Sequence, residues 1–165
     1  MNFLLKDLDI DAATKRRDRH LNNLCDYVIG RIRDVAPATS FQTKAVIPVC
    51  EHYKKNIDLI ASGNHFIEFK SISHSFGKNF NNRVEELAGQ CQLLSNLGKM
   101  SYIFVYHDRG EKFTHYERLR GIMKELIFQG SLHSAILIKV GAREALEDTE
   151  LNMKSFLNTW QADND

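Results

Sequence analysis

Ile57-Asp58-Leu59-Ile60-Ala61, Ser62-Gly63-Asn64 and His65-Phe66-Ile67-Glu68-Phe69-Lys70 make one continuous stretch. Two runs rich in β-branched and aromatic residues flank three residues of turn chemistry with a central glycine, the pattern of a β-hairpin. Pairing Ala61 with His65 sets Asp58 opposite Glu68, and alternation along the strand brings Lys70 to the same face. That register turns Ile57, Leu59, Ile67 and Phe69 together toward a core on the other face. Opposed carboxylates ~5 Å apart repel by about 3 kcal/mol at an effective dielectric of ~20, so a hairpin gains nothing structurally by placing them together. A divalent cation reverses that sign. One or two carboxylates commonly hold Mg²⁺, with water and substrate phosphate completing its oxygen shell. A lysine on the same face adds positive charge where a water loses a proton and a phosphate gains negative charge, so the pattern points to phosphodiester hydrolysis. The same three residues also suit the wet face of an ordinary hairpin.

The flanking elements extend the frame. Before the hairpin, Leu21, Leu24, Cys25, Val28, Ile29 and Ile32 recur at helical spacing between Thr14 and Asp34, and Pro37 stops that helix. Thr43 to Pro48 reads as a strand preceding Ile57 to Ala61 and His65 to Ile72. After the hairpin, the polar, asparagine-rich segment from Ser71 to Arg83 reads as a loop. Asn81 and Asn82 are placed to cap a helix whose stripe is Val84, Leu87, Ala88, Cys91, Leu94 and Leu97, ended by Gly98. Met100 to Tyr106 is apolar on both alternations, as in a central strand covered on both sides. A third helix carries Tyr116, Leu119, Ile122, Met123, Leu126 and Ile127, Ala135 to Val140 is a strand, and Met153, Phe156, Leu157 and Trp160 mark a last helix. The expected fold is α/β with a mixed central sheet flanked by helices. It forms one domain over residues 1–165, with a core at about 14–140 and a C-terminal helix at about 143–161.

This αβββαβ order, with the acid of Asp58 and the Glu68-Phe69-Lys70 triplet, resembles the core of the PD-(D/E)XK nucleases, although Ile57 stands where the family name has proline. Ser75-Phe76-Gly77-Lys78-Asn79-Phe80-Asn81-Asn82-Arg83-Val84-Glu85-Glu86 is similar to the corresponding stretch of XhoI-type restriction endonucleases, which are substantially longer than this chain. The resemblance implies that Asp58 and Glu68 hold Mg²⁺, for which Mn²⁺ can substitute, with help from the Phe69 carbonyl. It further implies that Lys70 orients or activates the attacking water and that the product carries a 5′-phosphate. The expected activity is a Mg²⁺-dependent Type II restriction endonuclease cutting a short palindrome in double-stranded DNA. Such an enzyme works as a homodimer, since two strands need two sites related by a two-fold axis, and beside a cognate methyltransferase. A structure-selective or phage-defence nuclease, an RNA-cleaving toxin and a catalytically silent nucleic-acid-binding module remain the alternatives.

Around that core, Lys78, Asn79, Asn81, Asn82 and Arg83 are candidate DNA contacts, because asparagine pairs bidentately with adenine, arginine with guanine, and lysine with phosphate. Asn81 and Asn82 serve equally well as helix caps. Glu86 either supports the metal shell or pairs with Arg83 one turn earlier. Asp18 and Asp26 are candidates for an additional acid. The histidines lack zinc spacing, since His107 and His115 are eight apart without a cysteine pair and Cys50 with His52 lacks a second pair.

Composition is consistent with this picture. The 165 residues are 43% hydrophobic and 26% charged, with a net charge of +1. That balance hides an asymmetry: residues 1–140 carry 20 Lys and Arg against 15 Asp and Glu, whereas residues 141–165 carry 2 against 6. A mildly basic body, with a cluster at Lys15, Arg16, Arg17 and Arg19, accepts a polyanion without demanding one. The uncharged stretches are far below the roughly 18 to 20 apolar residues that span a bilayer. Three scattered cysteines, and acids interrupting the first apolar residues, lead to the expectation of a reduced, cytoplasmic protein.

Overall fold

The computed structural model describes residues 19–72, 76–107, 114–141 and 145–162, with side chains for 21–72, 80–107, 115–141 and 145–162. In chain order the elements are α1 (Arg19–Val35), β1 (Phe41–Cys50), β2 (Tyr53–Ala61), β3 (His65–Ile72), α2 (Phe76–Leu94), β4 (Lys99–His107), α3 (Thr114–Phe128), β5 (Ser134–Val140), β6 (Ala145–Glu147) and α4 (Met153–Ala162). The protein is thus α/β, with a six-stranded mixed sheet in the order β1-β2-β3-β4-β5-β6. The pairs β1/β2, β2/β3 and β5/β6 are antiparallel, and β3/β4 and β4/β5 are parallel.

Two apolar layers sandwich the sheet. On one face α2 and α3 contribute Phe80, Leu87, Cys91, Leu94, Leu119 and Met123 against Phe66, Met100, Tyr102, Phe104 and Leu137. On the other, Leu24, Val28 and Ile32 of α1 and Met153, Phe156, Leu157 and Trp160 of α4 cover Leu59, Ile67, Phe69, Ile103 and Ile136. With helices on both faces, β4 is buried at every position from Met100 to His107, as its continuous hydrophobicity requires. No helix among the described residues is long and apolar enough to cross a membrane.

The hairpin forms with the expected closing pair, Ala61 opposite His65. Its turn needs left-handed backbone, supplied by Ser62 (φ 50°) and Gly63 (φ 81°). This turn packs against the one entering β4, where the Lys99 amide donates to the Asn64 carbonyl over 2.9 Å. A Cβ on Gly98 would lie 2.0 Å from that carbonyl oxygen, so glycine here serves close approach as well as helix termination.

Several expectations are corrected. The 71–83 segment is not all loop: α2 begins at Phe76, and Asn81 and Asn82 are exposed positions inside it rather than caps. Among the described side chains the buried stripe reaches back to Phe80, one turn earlier than the pattern suggested, and tertiary burial overrides the weak helix propensity of asparagine. At its far side Leu97 is 41% exposed and Ala88 is also exposed, outside the stripe. Ile57 packs with Ile60 and Ile72, on the face opposite Leu59, Ile67 and Phe69, because the alternation of β2 breaks at Asp58. The last helix begins at Met153, not near 143, since Ala145 pairs with Val140 in β6 and Asp148 then turns the chain. The Asp148 carboxylate accepts the amides of Glu150 and Leu151 at 2.9 and 3.0 Å and the Tyr116 hydroxyl at 2.9 Å, while Asn152 caps α4 through the Ser155 amide.

Gly98→Ala forces backbone to shift against backbone, so it should cost about 2 kcal/mol and lower the melting temperature by roughly 6 °C, measured by thermal denaturation.

Candidate active site

The geometry of the site follows from where two strands part. Beyond Leu59 opposite Ile67 the β2/β3 ladder ends, so Asp58 and Glu68 are not a paired position. Instead the Phe69 amide donates to Asp58 Oδ2 at 3.0 Å, which ties the side chain of one strand to the backbone of the other across the fork. A charge-assisted bond of this kind fixes the carboxylate's direction. On the neighbouring strand β1, Thr43 pairs with Leu59 and Ala45 with Ile57, but Lys44, which faces Asp58 in that register, drops out of the ladder with φ at 52°.

Glu68 is buried to 1% exposure beside Tyr102 of the central strand. Its Oε2 lies 2.9 Å from Lys70 Nζ, and its Oε1 is buried with no hydrogen-bond partner. Burial pushes its carboxyl above the ordinary glutamate range; the Lys70 ammonium pulls the other way and does not fully compensate, and the Asp58 charge adds to the rise. Lys70 Nζ also lies 3.2 Å from Glu86 Oε1. Burial draws its ammonium down, but Glu68, Glu86 and Asp58 together outweigh that and hold it above the ordinary lysine value. These acidic neighbours thus hold Lys70 in its charged form.

Glu86 makes the expected pair with Arg83 and a second one with Lys70. Arg83 donates to its Oε2 at 2.6 Å, while Lys70 and the Gln90 amide, at 3.0 Å, take Oε1. Burial raises its carboxyl, yet the bonds from Arg83 and Lys70 prevail and keep it below the usual range. Gln90 in turn accepts from the buried Tyr102 hydroxyl. Burial and the nearby Glu68 and Glu86 push that phenol up, so it stays a neutral donor. Gln90 and Tyr102 escaped the sequence reading. Gln90 stands one helical turn beyond Glu86, and Tyr102 was read only as apolar core.

A cavity of about 620 Å³ opens beside the fork, lined by Asp58, Phe69, Lys70, Ser71 and Arg83 together with Asn22, Cys25, Asp26, Thr43 and Lys44. Asp26, from α1, is exposed and shares this cavity with Asp58. The Cys25 thiol is pushed up to about 12 by burial and by Asp26 and Asp58, which removes it as a nucleophile. Asn81 and Asn82 are exposed on α2 and do not line the cavity. Asp18 and the side chains of Lys78 and Asn79 lie outside the described residues.

The donor set fits a hard divalent cation. An unbonded buried carboxylate oxygen is costly, and a cation between Glu68 and Asp58 would remove both that cost and their repulsion. Among the described residues no group of three or more His, Cys, Asp or Glu side chains gathers to hold a metal. Such a cation would thus draw on backbone carbonyl, water and substrate oxygens, as Mg²⁺ commonly does. Comparison with family models, with curated proteins and with solved structures gives no match to this chain.

Because the folded pKa of Glu68 lies above its unfolded value, its contribution to stability is fully present below the ordinary glutamate range and is lost as pH rises through the folded pKa. Glu68→Gln should therefore raise the melting temperature of the metal-free protein at pH near 8. The gain should shrink to nothing as pH falls toward about 4, which a pH series of thermal melts would measure.

Proposed function

We propose that this chain is a Mg²⁺-dependent endonuclease of the PD-(D/E)XK type that hydrolyses phosphodiester bonds of double-stranded DNA, most like a Type II restriction enzyme. The observation that carries this reading is the buried, unbonded Oε1 of Glu68 beside a fork where Asp58 is aimed by the Phe69 amide and Lys70 stands protonated. The element order α1-β1-β2-β3-α2-β4 supports this reading, because it is compatible with an αβββαβ core.

In this mechanism Asp58 and Glu68 would hold Mg²⁺, or Mn²⁺ in its place, with the Phe69 carbonyl contributing. When bound, the cation supplies Lewis acidity toward a phosphate oxygen and lowers the pKa of water. Lys70 donates to the attacking water or to a non-bridging phosphate oxygen and offsets developing negative charge. Glu86 holds Lys70 and Arg83 in place, and Arg83, on the cavity wall, is a candidate DNA contact together with Lys78, Asn79, Asn81 and Asn82. Cutting both strands of a palindrome requires a homodimer, and a restriction enzyme requires a cognate methyltransferase.

Incubating supercoiled plasmid with the protein in Mg²⁺ or in EDTA, beside Asp58→Ala, tests this reading. Discrete Mg²⁺-dependent fragments are expected. Asp58→Ala should lose on the order of 10³-fold in rate, the equivalent of several kcal/mol of charge stabilisation. A smear would favour a structure-selective nuclease, and binding without cleavage a silent module. Intact, unbound DNA would overturn the reading.

A further inference from the structure

Resting on the nuclease reading, we infer that Lys44 binds a phosphate of the nucleic-acid backbone and positions it over Asp58. Three cations line the cavity, Lys44, Lys70 and Arg83. Lys70 is bound by Glu68 and Glu86, and Arg83 by Glu86. Lys44 is exposed and, among the described residues, forms no salt bridge, so its charge is available to an anion entering the cavity.

Its backbone is unusual in a way that serves this role. Thr43 pairs with Leu59 and Ala45 with Ile57, so the register is the same on both sides and no residue has been inserted. Lys44 alone leaves the ladder, at φ 52°, opposite the residue that heads the proposed metal site. Left-handed backbone is disfavoured for a lysine within a strand, and glycine would adopt it freely. Strain of this kind is retained where it aims a group. Here it leaves Lys44 lining the same cavity as Asp58, where an acidic fork would otherwise repel a polyanion.

The test measures equilibrium binding of a short duplex DNA over a range of salt concentrations by the wild-type chain and by Lys44→Gly, Lys44→Asn and Lys44→Arg, with thermal melts of each. Lys44→Gly relieves the backbone and removes the charge, while Lys44→Asn tolerates the same φ. Both should weaken binding and make the slope of log affinity against log salt shallower by about 0.9, the loss of one phosphate contact. The Gly variant should melt at the wild-type temperature or above. Lys44→Arg should keep the wild-type slope. In cleavage of the same duplex, both neutral variants should raise KM and lower kcat, since the phosphate is bound less tightly and is less well placed. A wild-type slope in the Gly and Asn variants overturns the assignment of Lys44 and leaves the nuclease reading standing. Absence of DNA binding by the wild-type chain overturns both.

Discussion

Burying the carboxylate of Glu68 to 1% exposure, with one oxygen bonded to Lys70 and the other bonded to nothing, is the constraint around which the rest of this protein is arranged. Such a group costs several kcal/mol unless positive charge meets it, and an apolar residue would pack there more cheaply. The fold meets the demand in part. Lys70, two residues on, turns to Glu68, and Glu86 from α2 holds Lys70 from the other side. Gln90 and the Tyr102 hydroxyl then fix Glu86 against the central strand. Among the described residues, Oε1 of this carboxylate is left without a hydrogen bond.

The layers explain why the deficit persists. Helices cover both faces, and β3 is buried from His65 through Phe69, so Glu68 has little freedom to turn toward water. The fork between β2 and β3 supplies the opening. Because their ladder stops at Leu59 and Ile67, the Phe69 amide is free to hold Asp58, and the cavity forms where a fourth pair of residues would have closed the sheet. Its acidic neighbours hold Lys70 in its charged form.

Much of this was legible in the residues. The Ser62-Gly63-Asn64 turn set the closing pair of the hairpin, the unbroken apolar run of β4 declared a central strand, and the α1 stripe matched its buried face. Alternation brought Asp58, Glu68 and Lys70 to notice, but the direct pairing of the two acids that it implied does not form, because the ladder ends one pair earlier. What stayed hidden depended on tertiary contacts. Period-two alternation assigns Ile57 to the face of Leu59, and nothing local announces that both strands kink at Lys44 and Asp58. The asparagines of α2 read as loop because their propensity is weak, and only the burial of Phe80 makes them helical. Gln90 and Tyr102 join the site through a bond between elements twelve residues apart, which spacing within one element cannot reveal.

The central claim is that Asp58 and Glu68 together hold one divalent cation, and calorimetric titration of Mn²⁺ and Mg²⁺ into the wild-type chain, Asp58→Ala and Glu68→Ala tests it most directly. One ion bound per chain is predicted, with proton release at mildly acidic pH as the buried carboxyl ionises, and with binding lost in each variant. Undiminished binding in both variants, or none in the wild-type chain, would contradict it.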